Sequence, residues 1–558
     1  MKYSLLVTLV LPAAFAWFWQ DPAPAFLAKF TDIAASAKLL HPTIHGPVDH
    51  KDYILEATGC GAAFLDFDND GWLDVLMLSG TRFKNPPSNT GNRLYRNNGN
   101  GTFSDVTAAK GLIKVGWASS VTVGDFDNDG FEDLFITYWG QNILYRNENG
   151  TFKDVTSTAG LLTTDRRWTS GASFLDFDRD GNLDLFFTEY LDFDPTKIAK
   201  PGDPGQCNWK GIPVNCGPKG LPMGRHHLYH GNGKGGFKDT TQASGVDKAA
   251  PLYGMTTVVA DYDEDGWVDI YIASDSTPSQ MLINQHNGTF LDQGLARGVA
   301  VSEDGVEQAG MGVALGDFFR EGRLSIFKTN FADDTSNLYQ NLGQGQFTDQ
   351  ASRKGLSAKS RFMNWGAGAE DLDNDGWPDI FFVGGNVFPE VERKLPAYPH
   401  KAPRMLYRGT GNGRFAPVLD STLTVPHSSR GAAFGDFDND GDIDILIVNL
   451  NEAPSLLRNN LPPNAAHWLN IKLEGTSSNR SAIGATVIAT FAGKPLAKSV
   501  TSQESFYSVN DRRLHFGLGA STKANIEIRW PSGKIEKLSD LGANRLHQIR
   551  EGQGVIAP

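Results

Sequence analysis

Six copies of one nine-residue phrase, Asp-x-Asp-x-Asp-Gly-x-x-Asp, carry most of the chemistry this sequence offers. They begin at Asp66 (DFDNDGWLD), Asp125 (DFDNDGFED), Asp176 (DFDRDGNLD), Asp261 (DYDEDGWVD), Asp371 (DLDNDGWPD) and Asp436 (DFDNDGDID). Carboxylates at positions one, three, five and nine around a glycine offer hard oxygens to a calcium ion, which takes about six to eight of them. In the first loop the expected ligands are Asp66, Asp68, Asp70 and Asp74, with the carbonyl of Trp72. In the second and third they are Asp125, Asp127, Asp129 and Asp133, then Asp176, Asp178, Asp180 and Asp184. The other three loops supply Asp261, Asp263, Asp265 and Asp269; Asp371, Asp373, Asp375 and Asp379; and Asp436, Asp438, Asp440 and Asp444. Four in each of six loops makes 24 aspartates, and six divalent ions would return 12 charges against a formal net charge of −13.

The spacing opens like an EF-hand, which needs a glutamate at the twelfth position. That position here holds Met77, Ile136, Phe187, Ile272, Phe382 and Ile447, all apolar, so the EF-hand reading fails. As mere turn formers, four aspartates per loop would repel one another without reward. A seventh, worn copy begins at Asp317 (DFFREGRLS). It places Phe319 and Ser325 at ligand positions and adds Arg320 and Arg323, so it is expected to hold no ion.

The elements that must position these loops repeat with them. Successive loops start 59, 51, 85, 56, 54 and 65 residues apart. Each lies between apolar runs, such as 62–65 and 75–78, and a second phrase follows downstream, as in 92–106 (NRLYRNNGNGTFSDV) and 142–155 (NILYRNENGTFKDV). Four strands in roughly 55 residues make one propeller blade. The predicted fold is therefore all-β, a seven-bladed propeller over residues 30–460 followed by a small β-sandwich-like domain over 466–551. The seventh unit stops after 454–460 (PSLLRNN) without its fourth-strand phrase, which appears instead at Phe30-Thr31-Asp32-Ile33. The N-terminal strand is thus predicted to complete the last blade and remove an open sheet edge.

Outside the repeats, residues 1–16 read as an export signal, with Lys2, an apolar run and Ala14-Phe15-Ala16 before a cleavage point. The alternative is an uncleaved anchor. Either reading places the body outside the cytoplasm, secreted or at the envelope exterior or periplasm, where calcium is plentiful and a disulfide persists. Cys207 and Cys216, nine positions apart in one Gly/Pro-rich loop, are a plausible local bridge, and Cys60 is left over. An acidic chain without a basic patch excludes nucleic acid as a partner.

These repeats resemble the FG-GAP/VCBS units of integrin α-subunit propellers. After residue 465 the chain resembles the ASPIC/UnbV domain of cartilage acidic protein-like proteins, through 475–485 (GTSSNRSAIGA), Ser505-Phe506, 512–519 (RRLHFGLG) and 530–533 (WPSG). Glu504 departs from that pattern, standing where a small residue is expected. The resemblance implies a secreted, calcium-bound propeller with an appended β-domain, and no settled biochemical activity.

Two function classes follow. One is an extracellular binding or adhesion module for a glycan or protein ligand. The other is a carbohydrate lyase or hydrolase using arginines and acids of the axial mouth, among them Glu189, Asp275, Asp333, Asp334 and Glu452. No nucleophile elbow, P-loop or dinucleotide fingerprint occurs, so binding is favoured and no catalytic residue is assigned. Trp117, Arg167, Trp168, Trp365 and Arg430 open the innermost strands of different blades, and are expected to converge at the mouth as a ligand face. The alternative is that the tryptophans wedge the blades apart. Two histidine trios, His41/His45/His50 and His226/His227/His230, are read as ordinary packed or surface residues.

Overall fold

The computed structural model describes residues 26–556, except Asn89, residues 164–166, residues 357–359 and Asn412. The expected export signal lies outside the described residues. Seven four-stranded antiparallel sheets follow one another along the chain, each built around one Asp loop. Blade 1, for example, comprises Ala62–Leu65, Asp74–Met77, Arg93–Asn97 and Phe103–Asp105. Its first two strands are buried throughout, the third is partly buried and the fourth buries only Phe103, as expected for blades stacked face to face with a wet rim.

The innermost strands close a ring. Those of blades 2 to 7 are Ala118–Gly124, Trp168–Leu175, Gly254–Ala260, Gly310–Gly316, Asn364–Gly368 and Ser429–Gly435. Each packs on the next, and the last packs on Ala62–Leu65. Small residues permit this crowding. A Cβ on Gly312 would collide with the Trp365 carbonyl of the neighbouring strand. Blade 7 takes its outer strand from the N-terminus: Phe30–Asp32 pairs antiparallel with Ser455–Asn459, with Phe30 opposite Asn459. The displaced phrase closes the last sheet as the repeat pattern predicts.

The C-terminal part folds as two four-stranded sheets. One orders Leu514–Gly519, His467–Glu474, Leu546–Arg550 and Gly554–Ile556; the other orders Lys494–Ser499, Thr486–Phe491, Lys523–Arg529 and Ile535–Gly542. Leu469, Ile471, Val487, Phe516 and Ile526 from both sheets share one core. This sandwich sits on the Asp-loop face of the ring.

Two segments fill the propeller axis. From the Asp-loop face, residues 502–510 of the sandwich enter between the inner strands. Ser505 and Val313 exchange backbone hydrogen bonds at 2.7 Å, and Val509 donates to Ala62 at 2.9 Å. From the opposite face, the short helix α1 (Leu55–Thr58) enters the mouth. Tyr53, Leu55 and Ala57 meet Trp168, Trp365, Phe506 and Tyr507 in one buried cluster. The two segments share that one cluster inside the ring.

Candidate metal centres and the axial mouth

In each Asp loop the backbone orients the carboxylates. Asp66 accepts the N–H groups of Asp70 and Gly71 at 3.0 and 3.1 Å, and Asp74 accepts those of Phe67 and Asn97 at 3.2 and 2.7 Å. The second loop repeats this with Asp125 on Asp129 and Gly130, and Asp133 on Phe126 and Asn147. Asn69 and Gly71 both take positive φ, which reverses the chain and turns positions one, three and five toward one centre.

The third position is different. In all six loops one oxygen of this aspartate meets an arginine or histidine: Asp68–Arg96 (2.6 Å), Asp127–Arg146 (2.6 Å), Asp178–His230 (3.1 Å), Asp263–Arg297 (3.1 Å), Asp373–Arg408 (3.5 Å) and Asp438–Arg458 (2.9 Å). The other oxygen, Oδ1, is buried without a hydrogen-bond partner in every one of the six. A buried carboxylate oxygen left unpaired is costly, because its hydration is lost and nothing replaces it. Carboxylate oxygens of Asp66, Asp68 and Asp70 lie within 4.8 Å of one another, as do those of Asp125, Asp127 and Asp133. The aspartate donors are all oxygen, which fits a hard divalent cation, and in the third loop a nitrogen of His230 lies within the same distance of Asp178 and Asp180.

Burial raises the acids that line these centres. Loss of solvation is the main cause, and the other loop carboxylates add to it. Asp66 and Asp125 are pushed up to about 6, Asp176, Asp261 and Asp436 to about 7, and Asp74 to about 8. Asp184, Asp269 and Asp444 lie well above the usual carboxylate range. A cation at the centre would reverse both causes.

The fifth loop keeps the turn and loses the charge. Ser325 stands in for the aspartate at position nine, accepting the N–H of Asn341 at 3.1 Å. Asp317 accepts the N–H groups of Glu321, Gly322 and Ala497, the last from the sandwich. Arg320 donates to the carbonyls of Phe491, Lys494 and Pro495 at 3.0, 2.9 and 3.2 Å. This loop docks the sandwich where its siblings gather acids.

The FG-GAP-like repeat matches residues 66–136, 125–187 and 401–447, and the ASPIC and UnbV domain matches residues 475–556. The chain carries FG-GAP-like repeats and a C-terminal ASPIC domain. Cartilage acidic protein 1 of Mus musculus is 27% identical over 310 residues, spanning 53% of this chain and 44% of that protein. The Xenopus tropicalis protein of the same name is 27% identical over 286 residues, 48% of this chain and 40% of its own. The match thus spans less than half the length of these relatives. Among solved structures, an Agrocybe aegerita protein described as recognising non-reducing terminal N-acetylglucosamine aligns at 18% identity and TM-score 0.35, over 70% of this chain and 86% of its own. The exotype rhamnogalacturonan lyase YesX aligns at 11% identity and TM-score 0.28, over 75% and 90%. Neither likeness bears on what this chain binds.

At the opposite face, the expected ligand residues do converge, but they are not exposed. Trp117, Trp168 and Trp365 are 5%, 1% and 1% exposed, and Arg430 is 0% exposed. Arg430 stacks over Trp365 at 4.3 Å and donates to the carbonyls of Ala57 and Thr58. Only Arg167 reaches solvent, pairing with Asp192 at 3.6 Å. The expectation of an open aromatic platform is corrected accordingly. Helix α1 occupies the space where a ligand would sit, so the tryptophans wedge and line rather than present. Nothing local in 53–58 signals that it returns to the axis.

The mouth is roofed by two insertions, 192–225 and 386–404. Cys207 and Cys216 form a disulfide that closes the hairpin Cys207–Trp209/Ile212–Val214, while Cys60 is buried and free. Trp209, half-buried at the hairpin tip, meets Tyr398 at 5.0 Å and Phe388 at 5.8 Å. Lys210 lies over the rings of Trp209 and Tyr398 and pairs with Asp333 at 2.7 Å.

The mouth acids sit in separate pairs, Glu189 with His227, Asp275 with Tyr190 and Glu452 with His427. Neither histidine trio converges. His226 and His227 point to opposite faces of one strand, toward Gln280 and Glu189, while His230 joins the acids of the third loop. The cations facing each loop were the feature missed in the sequence. Their signal was the Arg or His preceding the last residue of the third strand, at Arg96, Arg146, His230, Arg408 and Arg458.

Proposed function

We propose that this chain is a secreted or envelope-exterior calcium-binding propeller that acts as a binding or adhesion module, with six ions per chain. In the first loop Asp66, Asp68, Asp70 and Asp74, with the Trp72 carbonyl, would hold the ion, and the equivalent residues would do so in the other five. The observation that carries this is the buried, unpartnered Oδ1 of the aspartate at position three, present in each of the six loops and replaced by Phe319 in the Asp317 loop. The ion supplies charge that lets buried carboxylates stay ionised, and thereby stiffens each blade at the turn between its first two strands. The export reading is supported by the disulfide and by the resemblance of the repeats to extracellular ones. No helix among the described residues is long and apolar enough to cross a membrane.

The ligand face assigned by this reading is the roof, with Trp209, Lys210, Tyr398 and Asp333 as contacts. An aromatic surface beside a cation suits a sugar ring bearing a carboxylate or sulfate, or an acidic peptide. A glycan array with the intact protein and Trp209→Ala tests this. Any hit should lose affinity in the variant while the melting temperature holds. Equal binding by both proteins contradicts the roof assignment.

A further inference from the structure

We propose that the ASPIC domain is a positioning element for the cation loops, acting through the side-chain amides that link each loop to the next. This rests on the calcium reading above.

Residue four of every loop reaches the loop of the following blade. Asn69, Asn128, Asn374 and Asn439 donate from Nδ2 to the carbonyls of Gly130, Gly181, Gly441 and Gly71, at 2.9, 3.4, 3.1 and 3.2 Å. Where asparagine is absent the link persists in the same direction. Arg179 stacks on Trp267 at 3.9 Å, Glu264 pairs with Arg323 at 3.2 Å, and Arg320 lies over Trp377 at 5.4 Å. The accepting glycine is residue six, so the bond fixes the peptide that leads into residue seven, whose carbonyl is the neutral ligand.

An amide that donates through Nδ2 presents its Oδ1 elsewhere, and in three loops the ASPIC domain takes that oxygen. The backbone N–H of Arg480 donates to Asn128 Oδ1 at 3.0 Å and Arg513 Nη1 to Asn439 Oδ1 at 2.6 Å, while His515 sits between two amide oxygens, Nε2 2.6 Å from Asn374 Oδ1 and Nδ1 2.8 Å from Asn470 Oδ1. All three lie in the stretches that mark the domain, 475–485 and 512–519. A flipped amide would set Oδ1 against the glycine carbonyl, acceptor to acceptor, and aim its N–H groups at the ASPIC donors. The docked domain therefore holds one orientation. The loops downstream of these links are those of Asp176, Asp436 and Asp66. By linkage, ions in them strengthen docking by the same factor as docking strengthens the ions.

The test is calcium titration of the full chain by calorimetry, with melting temperatures in calcium and in chelator. His515→Phe keeps a buried ring and removes the donor, and it alters no carboxylate. Asn374→Gly keeps the positive φ and removes the link. Each should weaken one site of the isotherm roughly tenfold, within the usual range of site–site coupling. The double variant should lose no more than either single one. The exposed Asn439→Gly should do the same to a different site, and it keeps the test decisive if a buried variant fails to fold. Folded variants that melt lower in chelator yet titrate like the unmodified protein overturn the proposal. An unmodified protein that takes up no calcium overturns the calcium reading instead.

Discussion

Arg430 donates to the carbonyl oxygen of Ala57 from Nη2 at 2.7 Å and from Nε at 3.1 Å, tying blade 7 to a helix 373 residues earlier. The last carbonyls of a helix need such a donor when they are buried. Arg430 also reaches Ser429 O and Gly385 O, so its charge is spread over backbone oxygens. Burial pulls it down to about 9.

Replacing this residue therefore loosens the plug rather than a ligand face. Arg430→Met should destabilise the protein by roughly 2–4 kcal/mol, because buried carbonyls lose their donor. Urea denaturation measures it. Unchanged stability would contradict the capping role.

Ring closure makes the N-terminal strand part of the propeller. Deleting residues up to Ala34 removes Phe30–Asp32 and leaves the Ser455–Asn459 strand with a bare edge. The truncated chain should melt markedly lower in one cooperative step and aggregate more readily. Melting like the full protein would show the strand to be dispensable.

Glu504, on the segment that enters the axis, gives a pH signature. Its carboxylate accepts the Leu315 N–H at 2.8 Å, yet burial pushes it up to about 7 from the 4.5 of an ordinary glutamate. A raised acid favours folding when protonated, so its contribution is full below about pH 4.5 and fades as pH rises through 7. Other raised carboxylates act in the same direction, so the difference between proteins isolates this one. Glu504→Gln should lose less stability than the unmodified protein between pH 5 and 8, by at most roughly 3 kcal/mol. Parallel melting curves across that range would count against it.

The fifth loop should behave as a clamp. Arg320→Ala removes the donor to Phe491, Lys494 and Pro495, and should expose residues 460–466 to limited proteolysis. Cleavage at the rate of the unmodified protein would argue that docking depends on other contacts.

Legibility divides by range. The Asp loops, the seven sheets and the displaced strand at Phe30–Asp32 were readable because each is a local phrase repeated at a near-constant interval. The convergence of Trp117, Trp168, Trp365 and Arg430 was readable as well, since equivalent positions in a ring must meet. Their burial was not. It depends on residues 53–58 and 506–507, which arrive from outside the repeats and carry no periodic signal. Position four carries no signal in the sequence beyond turn chemistry, because Asn tolerates positive φ. The hydrogen bond from Asn69 to Gly130 appears only once blades are neighbours. Glu504 stood out as a departure, and its partner Leu315 lies on a strand that the sequence alone does not place beside it.

The central claim is that six loops hold calcium and the Asp317 loop does not, and counting the calcium bound by purified protein dialysed to equilibrium against about 10⁻³ M calcium tests it most directly. Metal analysis should give six ions per chain, falling to five on Asp373→Ala and staying at six on Asp317→Ala. In about 10⁻³ M calcium, sites of about 10⁻⁴ M affinity would each add roughly 1.4 kcal/mol of stability, so chelator should lower the melting temperature with them. Two ions or fewer, or a count that falls on Asp317→Ala, would contradict the account.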